Sequence, residues 1–221
     1  MAARASGVTR DATRSRAAIL DAAEAAFAYR GFDATSLNDI AAMAGVSRAT
    51  PSYFFGSKEK LYVAVLERVF SDRQVAAQSA FEPLETWIRG GDSVGSLRDA
   101  LERAADGYME FLQQRPSFVR LLQHEDLAGG NHLTVTPRER NAMAQAFEAL
   151  RKVAARRGLT PFRADDALLL FISLTFSPLT QRSTFMRVLG HDLSEPRTRR
   201  RHIEFVADQL LHLIEGCEVD S

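Results

Sequence analysis

The chain has a single cysteine, Cys217, among 221 residues, so an intrachain disulfide is excluded and no thiolate cluster exists to hold zinc. That suits a reducing compartment, and a cytoplasmic location is the expectation. Net charge is equally scarce: Lys plus Arg and Asp plus Glu each number 28, so no global basic field draws nucleic acid. Residues 1–60 hold eight basic and six acidic side chains, an excess too small to alter this. Any nucleic-acid function must therefore rest on local placement. No apolar run approaches the roughly 18 residues of a membrane span, and the N-terminus lacks the apolar stretch of a signal peptide, so no membrane partner is expected. Gly-rich phosphate loops and nucleophile elbows are missing, which leaves no cofactor or catalytic residue to name. Alternating, strand-like runs are also nearly absent.

What is present is helical periodicity, with 46% hydrophobic residues to build a core. The fold class is therefore all-α. The first ten residues, small and basic, read as a flexible arm. Ile19, Ala23 and Phe27 then line one helical face that Gly31 ends with a left-handed cap. Ser36-Leu37-Asn38-Asp39 is a capping-box-like start for a short helix stopping at Gly45. Ser57 precedes a long helix reaching about Trp87, which Pro83 should bend or break. Ser96 and Asp99 open another helix, Pro116 the next, and Thr136-Pro137 a third. Residues 165–176 are apolar on nearly all sides, predicting burial all round, with Pro178 marking a connection. The last helix spans about Thr198 to Glu215.

Two short helices joined at Gly45-Val46-Ser47 form a helix-turn-helix pattern. Small Ala41 lets the helices cross closely, and Gly45 can take the positive φ that a tight turn needs. Leu37, Ile40, Ala44 and Val46 supply the buried side. Ser47 is expected to cap the second helix and to place Arg48, Ala49 and Thr50 in its first turn, where free backbone amides can meet a phosphate. Pro51 costs little near a first turn and stiffens it. Arg48, Thr50, Ser52 and Tyr53 have the chemistry for base edges and phosphates, while Phe55 should face inward. The alternative is that these side chains only decorate a solvated helix end.

The segment TSLNDIAAMAGVSRATPSYFFGSKEKLYVAVLERV, preceded by AAILDAAEAAFAYRGFDA, closely resembles the N-terminal domain of TetR-family transcriptional regulators over about residues 13–69. The resemblance implies a three-helix helix-turn-helix domain at residues 1–58, including the arm. A larger helical domain for effector binding and dimerisation would occupy 59–221. By position, Thr35 and Ser36 would touch backbone phosphate, as would Lys58 at the start of the linking helix. Ser47, Arg48, Thr50, Ser52 and Tyr53 would form the recognition surface. Two departures stand out: Ser52 occupies a position where the family often has an aromatic residue, and Phe54 replaces a hydrogen-bonding ring. The implied function is a homodimeric repressor that binds a palindromic double-stranded operator and is released by a small apolar or amphipathic effector.

Other clusters carry rival readings. His124-Glu125-Asp126 could support an all-α enzyme, although consecutive helical residues point in different directions and no metal site is expected. A helical protein-interaction module is the third possibility. Trp87, Tyr108, Phe111 and Phe118, with Leu122, Phe147 and Phe176, could line an effector cavity or simply form core. Leu169, Ile172 and Phe176 from the apolar helix, with Ile203, Val206, Leu210, Leu213 and Ile214 from the last, are candidates for an intersubunit four-helix bundle. Their alternative is an intrachain core. The basic run Arg197, Arg199, Arg200 and Arg201 suits a solvated face or intersubunit ion pairs.

Overall fold

A computed structural model of the chain describes residues 2–133, 137–158 and 163–215, with no strand among them. The helices are α1 (Ala2–Arg30), α2 (Leu37–Ala44), α3 (Thr50–Phe55), α4 (Lys58–Gly90), α5 (Leu97–Gln114), α6 (Pro116–Leu127), α7 (Pro137–Arg156), α8 (Ala164–Thr180), α9 (Phe185–Val188) and α10 (Pro196–Glu215). They form two compact units. One comprises residues 1–71 and 116–134; the other comprises 72–115 and 135–221. The division expected at residue 58 does not follow this packing. The first turns of α4 bury Leu61, Tyr62, Val65, Leu66 and Val69, and α6 packs on α1.

In the first unit α1 is the platform for α2, α3 and α6. Ile19, Ala23 and Phe27 are fully buried on it, and the Phe27 and Tyr62 rings meet edge to face at 4.8 Å. The residues expected to form the arm fall within α1, which runs from Ala2 to Arg30. Gly31 ends α1 at φ 79°, its amide donating to the Phe27 carbonyl. Ser36 caps α2 as expected: its hydroxyl accepts from the Asp39 amide at 3.1 Å, and the Asp39 carboxylate accepts from the Ser36 amide at 3.1 Å. Hydrogen bonds from Ser36 hold the exposed Asp39 carboxyl below the usual carboxylate range.

In the second unit α10 packs on α5 and α8, and α8 also meets α5 and α7. Ser96 caps α5 through the Asp99 amide. Two expectations fail here, and of the bend or break expected at Pro83 the break does not occur. The α4 helix is continuous through Pro83, because a proline removes one hydrogen bond while the flanking turns still hold theirs. Pro178 lies buried within the last turn of α8 rather than in a connection. Residues 165–176 are not buried all round, since Leu169 is 64% exposed and Ser173 is exposed beside it. The cap expected from Thr136, and Cys217, lie outside the described residues.

Candidate nucleic-acid interface

The helix-turn-helix is built by α2, a turn, and α3. Gly45 takes φ 67°, and its amide and that of Val46 return to carbonyls of the last turn of α2. Ile40 and Ala41 are buried, whereas Leu37, Ala44 and Val46 are half-buried. The second helix starts later than its sequence suggests. Arg48 and Ala49 form a turn, Thr50 donates its amide to the Ser47 carbonyl at 3.0 Å, and helix runs only from Thr50 to Phe55. Ser47 caps no amide here; its hydroxyl pairs with that of Thr50 at 2.7 Å. Pro51 sits buried in the first turn, and Phe55 points inward beneath the Arg16 guanidinium, 4.9 Å from the ring centre.

These contacts sort the expected DNA residues. Ser47, Arg48, Ser52 and Tyr53 are exposed on one short segment, Tyr53 by 84%, with Phe54 half-buried against it. Thr50 is half-buried. Thr35 is different: it is 2% exposed, and its hydroxyl donates to the Gly31 carbonyl at 2.8 Å. It seals the end of α1 and presents no hydroxyl to a phosphate, which corrects the expectation. Ser36 is exposed, but its hydroxyl is engaged in the α2 cap. Lys58 is half-buried, donates to the Phe32 carbonyl at 3.1 Å and lies 4.2 Å from the Phe32 ring centre. Its ammonium is thus positioned from two sides.

The residues grouped as an effector cavity are divided between the two units. Tyr108, Phe111 and Phe176 share a ring cluster with Phe81 and Phe171, all in the second unit. Tyr108 is buried there, and that burial raises its phenol pKa. Trp87 sits apart, donating its indole N–H to Asp92 beneath Arg157. Phe118 and Leu122 belong to α6 in the first unit, where Phe118 meets Phe70 edge to face. Phe147 is half-buried on α7.

The bundle residues divide by face. Ile203, Val206, Leu210 and Ile214 are buried in their own chain, so they cannot supply a free face. Leu169 is exposed and Ile172, Phe176 and Leu213 are half-buried. Sequence reasoning missed Phe205, exposed one turn before Gln209 and two before Leu213; the i, i+4, i+8 spacing was its signal. Arg199 and Arg200 pair with Asp106 and Glu204 of the same chain.

His124 and Glu125 form no open reaction site. Glu125 is 1% exposed and accepts from Tyr62 and His132, and the His124 ring lies against Gly31. A cap-fixed helix-turn-helix on a helical scaffold, followed by a second helical unit, defines the class of protein. Consistent with this, residues 19–65 match the model for bacterial regulatory proteins of the TetR family, and residues 98–210 match the tetracyclin repressor-like C-terminal domain. The chain belongs to the TetR family of transcriptional regulators.

The HTH-type transcriptional repressor NicS of Pseudomonas putida is 29% identical, over 96% of this chain and 98% of that protein. The HTH-type transcriptional regulator RutR of Escherichia coli is 42% identical over 73 residues, 33% of this chain and 34% of that one. The fold is shared with a solved TetR-family regulator from Mesorhizobium loti, at a TM-score of 0.65 and 23% identity over 91% of this chain and 97% of that one. These are regulators of transcription, not enzymes, so the enzyme reading of His124 and Glu125 does not stand. Among the described residues no helix is long and apolar enough to cross a membrane.

Proposed function

We propose that the chain is a cytoplasmic homodimeric repressor that binds a palindromic operator and is released by a small apolar or amphipathic effector. The observation carrying this reading is the exposed segment Ser47-Arg48-Ser52-Tyr53, held by a capped α2, a glycine turn and a buried Pro51. A short rigid helix bearing hydroxyls, entered through a turn that carries the Arg48 guanidinium, fits a major groove, and two copies related by a two-fold would read half-sites about one helical turn apart. Repression is supported by the similarity to NicS, whose name describes a repressor. The dimer would use the α8 and α10 stripes, Leu169-Ile172-Phe176 and Phe205-Leu213. The effector would enter near the Tyr108 ring cluster, and preferential binding to one dimer geometry would weaken the operator complex.

The test is binding to the intergenic DNA beside the gene, titrated at several salt concentrations, followed by a screen of apolar compounds for release. Tight, salt-dependent, sequence-selective binding reversed by one compound class is expected. If no compound that binds the protein changes operator affinity, the effector arm of the proposal is wrong.

A further inference from the structure

The first unit contains a buried polar network that the DNA surface does not use. Glu125 on α6 is 1% exposed, yet it carries a carboxylate. It accepts a hydrogen bond from the Tyr62 hydroxyl at 2.8 Å and one from the His132 amide at 3.1 Å, and the His132 ring Nδ1 lies 3.2 Å from it. Burying a carboxylate is costly unless donors or a countercharge compensate. Among the described residues the compensation comes from two places: α4 and the turn after α6.

Those partners converge on the α1–α2 turn. The Phe32 ring packs against Tyr62 at 5.0 Å and against His132 at 4.5 Å between centres. The Lys58 ammonium lies over the Phe32 ring, 4.2 Å from its centre, and donates to the Phe32 carbonyl. One residue earlier, the position a Cβ of Gly31 would take is 3.2 Å from His124 Nδ1, so the next side chain of α6 also abuts this turn. The turn leads directly into Thr35, which seals α1, and Ser36, which caps α2. The direction in which α2 leaves, and so the placement of α3, is set by a turn that α6 holds from behind.

We propose that Glu125 is a positioning residue for DNA reading: through Tyr62 and His132 it fixes the turn at residues 31–35. This rests on the DNA-binding reading above. Burial, with the Glu125 hydrogen bond and charge, raises the Tyr62 phenol pKa, so Tyr62 remains a donor throughout the accessible pH range. The Tyr62 hydroxyl and the His132 amide and ring are the groups that compensate the buried carboxylate among the described residues, so loss of Glu125 leaves both without their shared acceptor.

The experiment compares wild type, Glu125→Gln, His132→Gln and Tyr62→Phe for operator affinity, with thermal melting as a control for folding. Glu125→Gln should bind operator about tenfold more weakly, the scale of one lost charge-assisted hydrogen bond. His132→Gln and Tyr62→Phe should weaken binding in the same direction. Hydrogen exchange at the amides of residues 31–36 reads the same turn without DNA, and should quicken in Glu125→Gln. If Glu125→Gln does not fold, His132→Gln and Tyr62→Phe decide the matter. Wild-type affinity and unchanged exchange at residues 31–36 in the folded variants overturn the positioning role. Failure of wild type to bind any duplex would instead overturn DNA reading itself, and is recognised before any variant is measured.

Discussion

Thr35 and Ser36 are adjacent, both carry hydroxyls, and both stand where the family resemblance implies phosphate contacts. One is buried and the other caps a helix. Residue type is readable from a sequence; which of two neighbours turns inward depends on how α1 ends, and that is set by Gly31 and the α6 side chains behind it. Thr35→Val removes the hydroxyl donated to the Gly31 carbonyl, so it should cost about 1 kcal/mol of stability in chemical denaturation. The salt dependence of DNA binding should stay unchanged, because no phosphate contact is lost. A salt slope reduced by about one unit would restore Thr35 to the phosphate surface. Arg48 belongs to the opposite case, exposed as its motif position implies. If it bridges a guanine, Arg48→Ala should lose about 1–3 kcal/mol and relax preference at one position of each half-site, measured on single-base operator variants.

Among elements, helix starts marked by a side-chain cap were the most readable: Ser36 and Ser96 act where the sequence places them, because capping is a local interaction over three residues. The start of α3 was misread because Ser47 can satisfy either an amide or a neighbouring hydroxyl, and Thr50 supplies the latter. The faces of α8 and α10 were unreadable for another reason. A stripe of apolar residues looks the same whether it meets its own chain or a second copy, and only the fold shows that Ile203, Val206 and Leu210 are already used. The α8–α10 contact also has a pH signature. Burial holds the His202 imidazole below its ordinary value of 6.5, while its hydrogen bond to the Leu174 carbonyl opposes this and nearby His191 adds to it. The folded chain then resists a proton that the unfolded chain accepts, so this stability is present above about pH 6.5 and is lost as pH falls through the lower folded value. The melting temperature should drop more between pH 7.5 and 5.5 in wild type than in His202→Gln. Equal drops would remove His202 from the account.

At the scale of the whole molecule, the all-α class and the presence of a helix-turn-helix followed from periodicity and a glycine turn, whereas the membership of α6 in the reading unit did not. That membership depends on Ser117 bonding Glu24 and on Tyr62 bonding Glu125, contacts separated by 93 and 63 residues in sequence. The dimer prediction also belongs to this scale. The double change Leu169→Asp and Phe205→Asp should give folded monomers in sedimentation experiments, since both side chains are exposed in the chain itself. Leu210→Asp should instead unfold the second unit, because burying an unpaired carboxylate in the core costs several kcal/mol. A folded dimer carrying both surface charges would place the interface elsewhere.

The central claim, that two copies of this chain read an inverted repeat through α3, is tested most directly by selecting bound duplexes from a random pool and measuring how many chains occupy each. The account predicts enrichment of one palindromic sequence with half-sites about 10 base pairs apart, two-fold occupancy per site, and loss of the enriched bases' advantage in Arg48→Ala. Enrichment of no sequence, or of a site without two-fold symmetry bound by a single chain, would contradict it.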